Sequence, residues 1–198
     1  MFMFDVETLG TESNSVLLSL ACIHFDPHGQ PTYQELKDSA FFVKFSVRDQ
    51  VDNYARKINK GTLEWWQKQC QNVKNWSFLP DKSDRTLLEG LQEFHAWAKT
   101  KDDGKCWVWA RGSLDDVILQ ACERQAGLDH VFTYNRWRDV RTAIDILTLS
   151  TNGYCDVDHP DFLYERDVTK HNPIDDCALD VMMLIYGQSK KLDNLTDS

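Results

Sequence analysis

The 198-residue chain has no apolar run near the ~20 residues that a membrane-spanning helix requires, which excludes a helical membrane anchor. Its six cysteines (Cys22, Cys70, Cys106, Cys122, Cys155, Cys177) include no C-x-x-C pair and no Cys/His cluster of zinc spacing. Most stand in apolar contexts and are expected to be reduced, buried thiols. Basic residues are outnumbered: 22 Lys and Arg against 31 Asp and Glu leave a net charge of −9. That balance argues against a broad basic surface for non-specific duplex binding. It leaves open nucleic acid as the substrate of a metal-dependent enzyme, where cations supply positive charge locally. There is no internal repeat or low-complexity tract. The first apolar segment begins at residue 2 and already holds two acids, so no signal peptide is expected and a cytoplasmic location is.

What the chain does have is ordinary for a globular domain: 42% hydrophobic and 27% charged residues, in a length that supports one substantial core. Residues 1–189 are expected to form a single domain, followed by a polar tail over 190–198. Three extended segments (2–6, 15–26 and 39–47) are separated by turn residues such as Asp26-Pro27-His28-Gly29 and predict an antiparallel meander. Helical spacing follows at 62–73, and 75–84 reads as a loop. From Arg85 onward helix and strand alternate: a helix through Trp97-Ala98, a strand at 106–110, a helix at 114–125, a strand near 131–134 and a helix from about Asp139. An irregular stretch covers 151–171 before a last helix from Pro173 to about Gly187. The order predicts an α/β protein of the ribonuclease H type, a mixed five-stranded sheet flanked by helices.

Asp5 and Glu7 stand two apart in Phe2-Met3-Phe4-Asp5-Val6-Glu7-Thr8, which places both on one face of a strand. Paired carboxylates in an apolar run repel each other unless a cation neutralises them, and hard divalent ions prefer such oxygen ligands. In Arg111-Gly112-Ser113-Leu114-Asp115-Asp116, Ser113 and Asp116 have the spacing of an N-cap and its third-position partner. Asp115 then falls at the edge of the apolar face and is the better site candidate. In His171-Asn172-Pro173-Ile174-Asp175-Asp176, Pro173 suits the first helical position, Asn172 the cap and Asp175 the third. Asp176 has no such structural role, although periodicity alone does not separate the two aspartates.

Together Asp5, Glu7, Asp115, His171 and Asp176 resemble the DEDDh family of 3′-to-5′ exonucleases, whose pattern is D-x-E, a mid-chain Asp and H-x-x-x-x-D. Pro173 departs from the alanine usual in that last motif. Thr62-Leu63-Glu64-Trp65-Trp66 with Gln69, and Trp137-Arg138-Asp139-Val140-Arg141-Thr142, resemble the group of bacteriophage DexA exonucleases and related bacterial exoribonucleases. The resemblance implies two Mg²⁺ or Mn²⁺ ions held by Asp5, Glu7, Asp115 and Asp176, with His171 as general base. It also implies that Thr8, Leu9 and Gly10 hold the 3′-terminal nucleotide, Leu9 by an apolar wedge and Gly10 by close backbone approach.

Trp65 and Trp66 fit either base stacking or core, one of each being the expectation, with Trp65 the substrate candidate. Arg138 and Arg141 fit phosphate contacts or pairing with Asp139 or Asp145 equally well, and Arg111 is open in the same way. The remaining histidines (His24, His28, His95, His130, His159) have no motif context. The implied substrate is single-stranded nucleic acid with a free 3′ end, leaning to DNA over RNA, and the implied products are nucleoside 5′-monophosphates. A silent nucleic-acid-binding domain is the competing class, and a homodimer is neither specified nor excluded.

Overall fold

The computed structural model describes residues 1–102 and 104–189; the polar tail over 190–198 lies outside them. A five-stranded sheet runs in the order β3-β2-β1-β4-β5. It is built from β1 (Phe2–Thr8), β2 (Leu17–His24), β3 (Phe41–Lys44), β4 (Val108–Ala110) and β5 (Trp137–Asp139). The first three strands pair antiparallel, and β4 and β5 add in parallel. Central β1 therefore has an antiparallel neighbour on one side and a parallel one on the other.

Nine α-helices lie among the described residues: α1 (Tyr33–Ser39), α2 (Val47–Tyr54), α3 (Lys60–Gln67), α4 (Gln71–Val73), α5 (Leu87–Lys101), α6 (Leu114–Gln125), α7 (Val140–Thr148), α8 (Tyr164–Asp167) and α9 (Pro173–Tyr186). The period-2 alternation of β1 sorts its side chains between two cores. Phe2, Phe4 and Val6 pack with Leu91 and Phe94 of α5 and with Ile118 and Leu119 of α6. Met3 packs on the other face with Ile144 of α7 and Cys177, Val181 and Met182 of α9. Asp5 and Glu7 share the Met3 face, beyond where its apolar packing ends. A third cluster (Leu9, Val16, Leu18, Trp66, Val73) lies under the end of β1.

Several expectations need correcting. The meander is interrupted by α1, and the third extended segment stops at Lys44 because Ser46 caps α2 by accepting from the Asp49 N–H. Thr32 and Glu35 form a full capping box for α1, a pattern present in the sequence that the strand reading passed over. The helix expected over 62–73 starts at Lys60 and breaks after Gln67. α4 then runs into a π-helical turn, Lys74–Phe78, where a loop was expected, and the chain returns over Trp66.

The strand expected near 131–134 is not one. Phe132 is buried against Phe2, but the Val131 N–H donates to the buried Glu123 carboxylate instead of a ladder partner. The fifth strand is Trp137–Asp139, too short and too charged to show a strand period. Ser113 does not cap α6: its backbone is already helical and its side chain accepts no cap bond, while Asp116 binds Gln120 one turn on. All six cysteines are free.

Candidate active site

The site forms where the sheet opens. β4 pairs only with Phe2 and Met3, so from Asp5 onward the β4 side of β1 lacks a strand partner. The vacated ladder position is taken by a side chain: the Val6 N–H donates to Asp115 Oδ1 at 3.3 Å. That bond draws the first turn of α6 against the Asp5–Glu7 edge and buries Asp115 to 6% exposure. On the other side of β1, the register with β2 slips between Glu7 and Thr8. Such irregularities re-aim side chains, and they recur beside active sites.

The third contribution comes from α9, whose N-terminus is built as its sequence implies. Asn172 caps it by accepting from the Ile174 N–H, and Pro173 occupies the first turn. Asp175 is the structural acid of the pair: it is buried, ion-paired with Lys37, and accepts from the Thr169 N–H and the Asn172 side-chain amide. Asp176 points to the site and accepts from the His171 N–H at 2.9 Å. His171 Nδ1 lies 3.8 Å from Glu7 Oε1. One ligand atom each from Glu7, His171 and Asp176 falls within 4.8 Å of the others, an arrangement that could hold a cation.

The electrostatics are those of an acid cluster short of positive charge. Burial, then Asp115, Glu7, Asp176 and Asp180, push Asp5 well above the carboxylate range. Burial, then Asp176 and Asp115, do the same to Glu7. Burial lifts Asp115 to about 7 against the opposing Val6 bond, and lifts Asp176 to about 7 with Asp180 adding to it. Asp5 Oδ2 is buried with no hydrogen-bond partner. A buried carboxylate oxygen left bare among four other acids fits an oxygen-ligated divalent cation, which would satisfy it and reverse the repulsion. His171 is shifted the other way, below its usual value, by burial and by Lys170, so its imidazole is neutral near pH 7.

Asp180 belongs to this cluster and was missed from the sequence. It sits one helical turn after Asp176 on the same face of an otherwise apolar helix, and that i, i+4 repeat was the available signal. Burial lifts it to about 6 against the pull of Arg111, whose Nη2 and Nε donate to Asp180 Oδ1 at 2.6 and 3.0 Å. Arg111 also stacks on Tyr154 at 4.0 Å and donates to the Gly153 carbonyl. It is therefore committed to Asp180 and to the loop that follows α7.

The other candidates divide. Arg138 lies over the Trp107 ring at 3.8 Å and donates to the carbonyls of Asn135 and Trp137, away from the acids. Arg141 pairs with Asp139 at 3.6 Å, and its charge lowers both Asp115 and Asp180, which puts it at the rim of the cluster. Its guanidinium packs against Gly112, whose φ of +79° is a backbone conformation that strains any residue with a side chain. Trp66 is fully buried and its indole N–H donates to the Thr8 carbonyl at 3.0 Å. Trp65 is 40% exposed, with His171 edge-on at 4.8 Å.

Thr8 donates to the Gly10 carbonyl. Leu9 is only 2% exposed and packs in the third core cluster, so in this conformation it offers no wedge to a base. Gly10 admits Ser15 and Asn59, which a side chain would strike.

The sequence profile of the 3′-5′ exoribonuclease Rv2179c-like domain matches residues 1–186, and the chain belongs to that family. Among its relatives, the exodeoxyribonuclease of Enterobacteria phage T4 is 28% identical over 205 residues, 94% of this chain and 88% of the phage protein. The nuclease domain of 3′hExo, a DEDDh family member solved bound to rAMP, has the same fold at a TM-score of 0.60 and 13% identity, covering 93% of this chain and 88% of that one. By the Rv2179c-like family the chain is a 3′-5′ exonuclease.

Proposed function

We propose that residues 1–189 act as one exonuclease domain. It removes nucleotides from the 3′ end of single-stranded nucleic acid as 5′-monophosphates, with two Mg²⁺ or Mn²⁺ ions bound at Asp5, Glu7, Asp115 and Asp176. The supporting observation is the bare, buried Asp5 Oδ2, on a carboxyl whose ionisation four neighbouring acids oppose. Asp5, Glu7 and Asp176 would hold one ion, and Asp5 with Asp115 the other. Bound there, the ions would supply the positive charge needed to polarise the scissile phosphate and stabilise the leaving 3′-oxygen.

The remaining work falls to the chain's own groups. His171, neutral near pH 7, accepts the proton of the attacking water. Its side chain is 43% exposed, so it can meet solvent entering the cleft while Nδ1 stays beside Glu7. The open face of Trp65 stacks on an unpaired base, and the Thr8–Gly10 turn meets the terminal nucleotide through its backbone. Arg141 offers its charge to a phosphate, whereas the commitments of Arg111 and Arg138 elsewhere weigh against direct contacts.

DNA is the proposed substrate, supported by the full-length similarity to the phage exodeoxyribonuclease. The exoribonuclease description of the family favours RNA as the second reading. Matched 5′-labelled DNA and RNA oligonucleotides, with free or blocked 3′ ends, separate the two. Shortening from the free 3′ end is expected, faster on DNA, with a loss of at least about 10³-fold in Asp5→Asn. Equal degradation of 3′-blocked strands, or full activity in Asp5→Asn, would refute the proposal.

A further inference from the structure

We propose that Ser77, on the π-helical turn, is a positioning residue for His171, acting jointly with Trp65 to hold the imidazole at the mouth of the acid cluster. The inference rests on His171 being the proton acceptor, as set out above.

The His171 backbone is in a strained state. Its φ is +64°, the left-handed region that a residue with a Cβ enters at a steric cost. A conformation of that kind persists only where its surroundings hold it, and the contacts on each side of His171 are specific. Its N–H donates to Asp176 Oδ2, and its carbonyl accepts from Ser77 Oγ at 3.3 Å across 94 residues of sequence. The ring meets Trp65 edge-on, nearly perpendicular at 88°, and turns Nδ1 toward Glu7.

Asp176 and Glu7 belong to the acid cluster itself. Ser77 and Trp65 do not, and both come from the segment between residues 60 and 78. The π turn is closed by the Leu79 N–H donating to the Lys74 carbonyl at 2.7 Å. Such turns are rare and are found frequently at functional sites. Here the turn stacks Phe78 on Trp66 (5.8 Å, 6°) while Ser77 reaches His171. Trp66 in turn is bonded to the Thr8 carbonyl, next to Glu7. One buried tryptophan therefore gives the end of β1 and the His171 loop a common reference. Ser77 is 1% exposed, so it does not touch substrate, and its direct contact with the site is the bond to the His171 carbonyl.

The test is single-turnover hydrolysis by Ser77→Ala, His171→Ala and the double variant, at saturating Mg²⁺ and varied oligonucleotide. A displaced base costs rate, not binding: Ser77→Ala should lower the maximal rate about 10-fold and leave half-saturation within about 2-fold. In the His171→Ala background the same change should have no further effect, since no imidazole remains to be positioned. Ser77→Thr, which keeps the hydroxyl, should recover part of the rate. Trp65→Leu should show the same non-additivity with His171→Ala in the maximal rate, whatever it does to binding. An unchanged rate in Ser77→Ala beside a crippled His171→Ala would overturn this inference alone. An equal loss in both backgrounds would do the same, by exposing a general structural role. A fully active His171→Ala would overturn the proton-acceptor assignment, and the inference with it.

Discussion

Asp5, Glu7, Asp115, Asp176 and Asp180 are each shifted upward mainly by burial, and each makes its neighbours harder to ionise. In the unfolded chain these groups ionise near pH 4, whereas Asp115 and Asp176 in the folded protein ionise at about 7. Between those values the folded state binds more protons than the unfolded state. Metal-free stability should therefore fall as pH rises through that window, and it should not fall further once the folded groups have ionised. Melting in chelator is expected at least about 2–4 °C higher at pH 5.5 than at pH 8, roughly what 1 kcal/mol shifts a domain of this size. Asp5→Asn, which removes the most repelled charge, should flatten the dependence. A metal-free profile rising steadily toward pH 8 would contradict the burial of this cluster.

The elements are held at the site by a few side-chain bonds that replace backbone ladders. Asp115 takes the Val6 N–H where β4 has left β1, and Trp66 takes the Thr8 carbonyl where the β2 register slips. Trp66 is also the buried wall on which α3, α4 and the π turn close, stacked on Phe78 and packed with Leu9, Val16 and Val73. Trp66→Phe keeps a ring in that space but loses the hydrogen bond, for an expected cost of about 1–2 kcal/mol. Trp66→Ala opens a cavity under the catalytic strand, with an expected cost of about 3–5 kcal/mol. Denaturant melts give both values. The two variants should also differ in activity, since only the second lets the segment carrying Trp65 and Ser77 move. Equal costs would mean the stack contributes little.

For the molecule as a whole, net charge −9 and a bare acidic cleft make divalent cations the natural stabilising ligand. Mn²⁺ should raise the melting temperature saturably, by about 2.7 kcal/mol of added stability at 100 times its dissociation constant. The gain should be kept in His171→Ala and lost in Asp176→Asn, which separates a proton acceptor from a ligand. Loss of the Mn²⁺ response in His171→Ala would instead make the histidine a ligand, as its place beside Glu7 and Asp176 permits. Calorimetric melts at fixed pH carry the comparison.

Local chemistry made most of the acidic set legible, and the family resemblance, by counting His171 with it, chose Asp176 over Asp175. A carboxylate pair in an apolar strand, a Pro-started helix capped by Asn172 and an Asp at the edge of an amphipathic face each announce themselves without tertiary context. So does α6, whose observed span over residues 114–125 is the one its periodicity predicts. The capping signals at Thr32 and Ser46 are equally local. Other features have no local signature. β5 is a strand only because β4 lies beside it, and Phe132 is core only because Phe2 is. Which of Trp65 and Trp66 is buried depends on a carbonyl 58 residues away. Arg111 is tied up by Asp180, and Ser77 meets His171 across 94 residues. Sequence pattern determines what a stretch of chain prefers and which groups can carry chemistry. Burial and pairing are properties of two distant segments at once, so only the packed structure decides which of those groups stay free to act.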